Sequence, residues 1–494
     1  MTLSKLMIVS YPGFILIGLL SLSLVGCSAS SSVTEELGCK QSALQADPNP
    51  GAAASPVSGS NVMALTVNGS QCLSMSDPNS AVGPNSPCAS VTVCPPGATS
   101  ASDSNCQVIS GLLVDTGSIG LRVFRSVIQA NDTTNGTALF SHLTPVTYRG
   151  STVAECVTYG DGSADWGPVA NATVFMGGEA GVATPIQLID AYYGGSGTNG
   201  WSICNSLAGG SSSNVVLDRC PTNIPASAPV SGTGLGYNGI LGLGLYPNDS
   251  IYGYYYSCAG TSLSSSSGCG SAVSSITLSA SQKTLQNPVS LLTDGNNNGL
   301  VLELPSVGNI GVSSANGYVV FGVSNQPNNT PTSVTTFPVD SNNSDNGFLQ
   351  ALVTLNGQNL PAFIDSGSTF YNIPLGSSTS GFVDCGGFHD DNSNGWSGFF
   401  CPTGDSNTFG SLTFSFLGFS GSHSLSVSLT LGNPMYFYNP LSANVFSDIA
   451  SVESLAGSLS GSVDLGLPFY LGRNIYHGIY GSSSSLSSGP YWAF

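Results

Sequence analysis

Twice in this chain an apolar run drives straight into an aspartate that is followed by a hydroxyl residue, a glycine and a serine. The first copy is Leu112-Leu113-Val114-Asp115-Thr116-Gly117-Ser118, and an apolar segment from Ile119 to Phe124 follows it. The second is Ala362-Phe363-Ile364-Asp365-Ser366-Gly367-Ser368-Thr369. A carboxylate at the end of a buried strand needs a hydrogen-bonded partner or a shifted pKa. Each copy therefore limits what the chain around it can become, and together they are expected to form the two halves of one site. A weak internal repeat agrees: Leu65-Thr66-Val67-Asn68-Gly69 precedes Asp115, and Val353-Thr354-Leu355-Asn356-Gly357 precedes Asp365. Duplication accounts for a symmetric site.

Composition favours strands joined by many turns. The 494 residues include 63 glycines, 41% are hydrophobic and only 7% are charged. That supports a large core and excludes global disorder. With 8 basic against 26 acidic residues the net charge is -18, which argues against a nucleic-acid partner. The N-terminus reads as an export signal over residues 1–26: Lys5, an apolar run from Phe14 to Leu24, then Leu24-Val25-Gly26-Cys27, similar to a bacterial lipobox. Cys27 is the expected lipid attachment point, and residues 27–60 a Ser/Ala/Pro-rich tether. The membrane is then reached only through a lipid, and the protein is expected in the bacterial cell envelope. Of 13 cysteines, setting Cys27 aside leaves an even number, suited to disulfides in an oxidising compartment. Cys258 and Cys269, and Cys385 and Cys401, are plausible local partners.

Taken in order, Val62–Gly69 reads as a strand and turn. Residues 70–110, with Cys72, Cys88, Cys94 and Cys106, read as a disulfide-pinned insertion. Alternation from Val146 into Tyr159-Gly160-Asp161-Gly162-Ser163 predicts a hairpin with a Gly-rich tip. Residues 190–235 read as surface loops. Further strands are expected over Leu300–Leu304, Tyr318–Val323, Leu412–Phe416 and Leu425–Leu431, and in the aromatic tail; a helix is conceivable only around Val445–Leu459.

Two carboxyls brought together titrate as a pair, one holding a proton. Such a pair binds a water between them. The ionised member takes its proton as it attacks an amide carbonyl, and the protonated member donates to the carbonyl oxygen. Thr116 and Ser366 are placed to brace the two turns. Gly117 and Gly367 allow close backbone approach. Ser118 and Ser368 are placed to hydrogen-bond an outer carboxyl oxygen. No metal or cofactor is called for.

With these residues the chain resembles the bilobal pepsin-like aspartic peptidases over most of residues 60–494. Asp115-Thr116-Gly117-Ser118-x-x-Leu121-x-Val123 resembles that family's first motif, and Tyr159-Gly160-x-Gly162-Ser163 its flap. Gly239-Ile240-Leu241-Gly242-Leu243 and Tyr470-Leu471-Gly472 resemble its two apolar-apolar-Gly loops, and Gly317 to Gly322 the strand joining its lobes. The resemblance implies an all-β, two-lobed fold, with an N-terminal lobe over 61–325 and a C-terminal lobe over 326–494. It also implies a monomeric endopeptidase with an acidic optimum, peptide or protein substrates, and Asp115 and Asp365 as catalytic residues under Tyr159. The chain departs from the family at Arg122, where a tryptophan usually steadies the flap tyrosine, and in lacking a basic inhibitory stretch in the tether.

Other motifs carry less. Gly234-x-Gly236-x-x-Gly239 fits a dinucleotide fingerprint, but no helix follows it, so no nucleotide is expected. Asp294–Gly299 and Asp390–Gly395 are similar to half a calcium loop without its glutamate, and read as turns. The four histidines lack ligand spacing. The rival readings are a non-catalytic binding protein on the same fold, and a polysaccharide hydrolase with a wider carboxyl pair.

Overall fold

The computed structural model describes residues 51–494 apart from 74–82, 131–138, 161–163, 191–192, 195–203, 205–236, 250–252, 259, 265–268, 270–272, 279–283, 310, 340–350, 356–357, 375–380, 386–397, 404–408, 419–422, 435–443 and 453–458. Cys27 and the expected tether up to residue 50 lie outside them, whereas its last stretch is part of the body, because Ala52–Ala53 pairs in parallel with Ala315–Asn316.

The protein is all-β, with two short α-helices among the described residues, Arg125–Ala130 and Leu139–His142, following the Asp115 turn. Its strands alternate β-branched and small residues between Gly-rich turns, so neither the propensity nor the period favours helix. In the first half, six strands close on themselves. Pro87–Cys94 pairs with Gln107–Asp115, which runs parallel to Gly239–Leu243. That strand is antiparallel to Ile119–Phe124, which is parallel to Val182–Ile189. Ala164–Phe175 completes the ring by pairing with both Val182–Ile189 and Pro87–Cys94. Closure leaves no edge in this ring and buries the Gln107–Asp115 and Ile119–Phe124 strands almost entirely.

The region 70–110 is therefore not an insertion. Its Pro87–Cys94 segment is a stave of the closed sheet, and the disulfides Cys72–Cys88 and Cys94–Cys106 tie the two ends of that stave to their neighbours. Cysteine and serine density hid an ordinary, largely buried strand, Pro-Cys-Ala-Ser-Val-Thr-Val-Cys. Disulfides also join Cys156–Cys204, Cys258–Cys269 and Cys385–Cys401.

The second half builds a separate sheet of seven strands, centred on Ala351–Leu355, Gln358–Phe363 and Val463–Asp464, with the Gly410–Leu417 and Ser424–Leu431 hairpin at one edge. The tail returns to the first body: Asn474–Gly478 pairs with Gly299–Glu303, and Tyr491–Ala493 with Thr336–Pro338. Phe337, Phe416, Phe469 and Phe494 stack where the tail meets the second sheet. No α-helix forms over residues 445–452, where Ala450–Ser451 is a strand beside Tyr371–Asn372, and residues 453–458 of the expected helix lie outside the described residues. No helix among the described residues is long and apolar enough to cross a membrane.

Candidate active site

The two aspartate turns are built alike. Gln107–Asp115 ends in the first turn, the chain leaves along Ile119–Phe124, and Gly239–Leu243 lies between the two strands, parallel to the first and antiparallel to the second. Gln358–Phe363 ends before Asp365, the chain leaves along Tyr371–Asn372, and Val463–Asp464 lies between them in the same two senses. The segment facing Asp365 is thus Asp464-Leu465-Gly466, and not Tyr470-Leu471-Gly472 as the motif suggested. Both segments carry Leu-Gly, and strand pairing alone separates them.

Four hydrogen bonds lock the turns across the chain. The Thr116 amide donates to Ser366 Oγ at 3.1 Å, and the Ser366 amide to Thr116 Oγ1 at 2.9 Å. Ser366 Oγ donates to the Val114 carbonyl at 2.7 Å, and Thr116 Oγ1 lies 3.4 Å from the Ile364 carbonyl. Residues separated by 250 positions thus satisfy each other's buried backbone groups.

Each carboxylate is held the same way by its own turn. Asp115 accepts from the Gly117 amide at 2.7 Å and from Ser118 Oγ at 2.5 Å. Asp365 accepts from the Gly367 amide at 2.7 Å and from Ser368 Oγ at 2.8 Å. The carboxyl of each sits against the glycine of the other: a Cβ on Gly117 would lie 2.4 Å from Asp365 Cγ, and one on Gly367 2.7 Å from Asp115 Cγ. The two carboxyls are within hydrogen-bonding reach of one another. Burial, and then the charge of Asp115, push the Asp365 pKa well above the usual carboxylate range. Thr116 and Ser366 are buried, whereas Gly117, Asp365, Gly367 and Ser368 are half-exposed, so one edge of the pair faces outward.

The predicted hairpin is present. Ser151–Thr158 and Ala164–Phe175 are antiparallel, from Ala154↔Pro168 to Thr158↔Ala164. Tyr159 and Gly160 open its tip; Gly162 lies outside the described residues. Tyr159 donates to Asp165 Oδ2 at 2.7 Å, across the base of the tip. Burial and the adjacent Asp165 raise the phenol's pKa well above its ordinary value.

Arg122 anchors a buried ion-pair cluster. It is fully buried, donating to Glu155 Oε1 at 2.8 Å, Asp249 Oδ2 at 3.1 Å and the Ile119 carbonyl at 2.7 Å. Burial by itself disfavours the charge, but Glu155, Tyr159, Asp249 and Tyr255 outweigh that and hold its pKa above the ordinary value. Glu155 lies on the inner hairpin strand, so the ion pair ties the hairpin to the strand leaving the Asp115 turn. Tyr255 donates to Asp249 Oδ1 at 2.5 Å and accepts from the Leu285 amide.

Asn85, His477 and Asp464 escaped the motifs, and Tyr470 takes a place that its motif did not suggest. Asn85 spans the two halves beside the second turn, donating to the Thr369 and Phe446 carbonyls and accepting from the Phe446 amide. Tyr470 lies behind the locked turns, its hydroxyl 2.7 Å from Thr116 Oγ1 and 3.2 Å from His477 Nε2. Burial drives His477 down to about 3, so the ring is neutral. Asp464 is buried beside Asp365. Asn85 and His477 carry no local pattern; the Asp of Val-Asp-Leu-Gly, standing in an apolar run, was the one visible signal. Among the described residues no cluster of three metal-ligating side chains occurs.

Residues 57–494 match the family described as Protein of unknown function (DUF3443). The chain belongs to the DUF3443 family. No curated protein matches it. The aspartate turns, the hairpin, the Arg122 cluster and the returning tail all fall inside the DUF3443 match, and only the expected signal and most of the tether precede it.

Proposed function

We propose that this protein is an aspartic endopeptidase with a two-lobed, pepsin-like arrangement, in which Asp115 and Asp365 activate one water for hydrolysis of a peptide bond. The observation that carries the reading is the reciprocal pair: two carboxyls, each held by its own Gly amide and Ser hydroxyl, each packed on the other's glycine, with Thr116 and Ser366 crossed beneath. A pair at hydrogen-bonding distance shares a proton. The ionised member deprotonates the water, and the other polarises the carbonyl. The proton belongs to the pair, so one carboxyl starts the cycle as the acid and the other as the base. After attack the proton gained by the base passes to the leaving nitrogen. Hydrogen-bonding reach is closer than the ~5 Å needed by the carboxyls of a retaining glycoside hydrolase, which disfavours the polysaccharide reading. The built-in support of the hairpin by Arg122 answers the strongest sequence argument for an inactive binder. Tyr159 at the hairpin tip is assigned to cover the substrate.

We place the protein in the cell envelope, exported and lipid-anchored at Cys27. The five disulfides among the described residues agree with an oxidising compartment.

The test is cleavage of a peptide library across pH by the wild type, Asp115→Asn and Asp365→Asn. Cleavage on the acid side by the wild type, lost in both variants, is expected. Equal cleavage by all three, or none by any, overturns the enzymatic reading.

A further inference from the structure

Asp464 is a third carboxyl in this site, and neither the paired motif nor the chemistry above uses it. Strand register places it opposite Phe363, two residues before Asp365, and opposite Asn372. In the first half the matching position is Ile240, which pairs with Leu113 and Arg122. The duplicated architecture therefore puts an apolar side chain behind one catalytic turn and a carboxyl behind the other. The carboxyl is held firmly: Oδ1 accepts from the Gly466 amide at 2.9 Å and Oδ2 faces Asn372 Nδ2 at 3.4 Å. Beside it stands the hydroxyl of Ser368, the group that donates to Asp365 Oδ2. Ser368 is itself fixed, because its carbonyl accepts from the Leu467 amide at 2.7 Å.

Resting on the aspartic peptidase reading, we propose that Asp464 is a positioning residue that sets the upper pH limit of the dyad through Ser368. One hydroxyl hydrogen serves two carboxyls. With Asp464 protonated, its O–H donates to Ser368 Oγ and Ser368 donates to Asp365, a directed relay that supports the ionised form of the dyad. With Asp464 ionised, Ser368 is drawn to it, and its charge stands beside Asp365. Both changes make the dyad keep its last proton to higher pH. The titratable groups facing Asp464 are Asp115 and Asp365 on the two turns and the Tyr470 phenol. Asn372 and Ser368 face it as neutral dipoles. Burial lifts the Asp464 pKa to about 7, which places its charge change at the upper edge of the window in which a singly protonated dyad works.

The test compares the mature wild type with Asp464→Asn and Asp464→Ile, the latter installing the residue that the first half uses. Folding of each is checked by thermal unfolding. The first readout is the pH profile of kcat/KM on a cleaved peptide. The alkaline limb is expected to move down by about one pH unit, with the acid limb in place, because Asp464 is neutral there. The second needs no substrate: infrared titration of protein carrying isotope-labelled aspartate, in which the last dyad proton is expected to leave at correspondingly lower pH. A uniform loss of activity at every pH, with an unmoved infrared midpoint in whichever variant folds, overturns the proposal. Absence of cleavage by the wild type with a shifted infrared midpoint overturns the peptidase reading alone and leaves the coupling standing.

Discussion

Gly117→Ala isolates the geometry of the carboxyl pair. Gly117 does not need a left-handed backbone, so an alanine there brings no conformational strain, only a methyl group. That methyl would sit 2.4 Å from Asp365 Cγ and 2.6 Å from both of its oxygens, where ordinary contact begins at about 3.4 Å. Relief requires a relative displacement of about 1 Å (3.4 less 2.4) between the first turn and the second carboxyl. Neither the Ser366 lock nor the Gly367 and Ser368 hydrogen bonds accommodate that without lengthening. A misplacement of ~1 Å between catalytic groups costs on the order of 100-fold, or ~2.7 kcal/mol of transition-state stabilisation. Gly367→Ala, with its methyl 2.7 Å from Asp115 Cγ, is expected to behave alike. Gly308→Ala, whose methyl meets nothing within 4 Å, is the control. The assay is kcat/KM on a cleaved peptide, together with binding of a peptide carrying a hydroxyl in place of the scissile amide. Both are expected to fall ~100-fold, with overpacking costing ~1–3 kcal/mol of stability. Full activity in Gly117→Ala would refute the claim that the two carboxyls pack on opposing glycines.

Stability is expected to rise toward acid. Asp448 and Asp464 are each lifted by burial from 3.8 to about 7, so the folded state binds protons that the unfolded chain releases, and stability is lost as pH rises from about 4 to about 7. His477, depressed from 6.5 to about 3, acts oppositely below 6.5. From pH 7 to about pH 4.5 the two aspartates gain ~2.5 units each and His477 loses ~2, leaving ~3 units or ~4 kcal/mol; urea unfolding at the two pH values checks it, and a protein more stable at pH 7 contradicts it. Arg122→Met strands Glu155 and Asp249 and is expected to cost ~3–5 kcal/mol near neutral pH, with a smaller loss at pH 4.5, where the carboxyls are free to take protons; an equal loss at both pH values would point to packing alone. Tyr470→Phe removes the hydroxyl between Thr116 and His477 and is expected to cost ~1 kcal/mol in unfolding free energy while lowering kcat more than it raises KM; an unchanged kcat would separate Tyr470 from the site.

Much of this molecule is local chemistry, and that part is written in the sequence. Asp-Thr-Gly-Ser and Asp-Ser-Gly-Ser each close their own hydrogen bonds within four residues, so the two turns and the carboxylates they hold are legible without any fold. The hairpin behind Tyr159 is equally local, since alternation and a Gly-rich tip suffice. What the sequence did not determine is partnership. Pro87–Cys94 looked like part of a loop because its identity as a stave depends on strands at 107–115 and 164–175. Arg122 looked like a defect, because the two carboxylates that balance it come from positions 33 and 127 residues away. Asp464 and Tyr470 stood close together near the same apolar-Gly pattern, and only parallel pairing with Gln358–Phe363 decided that Asp464 lies beside Asp365 while Tyr470 backs the crossed turns. A buried charge or hydroxyl is tolerable only beside its complement. The identity of that complement is fixed by tertiary register, which no short stretch of this chain contains.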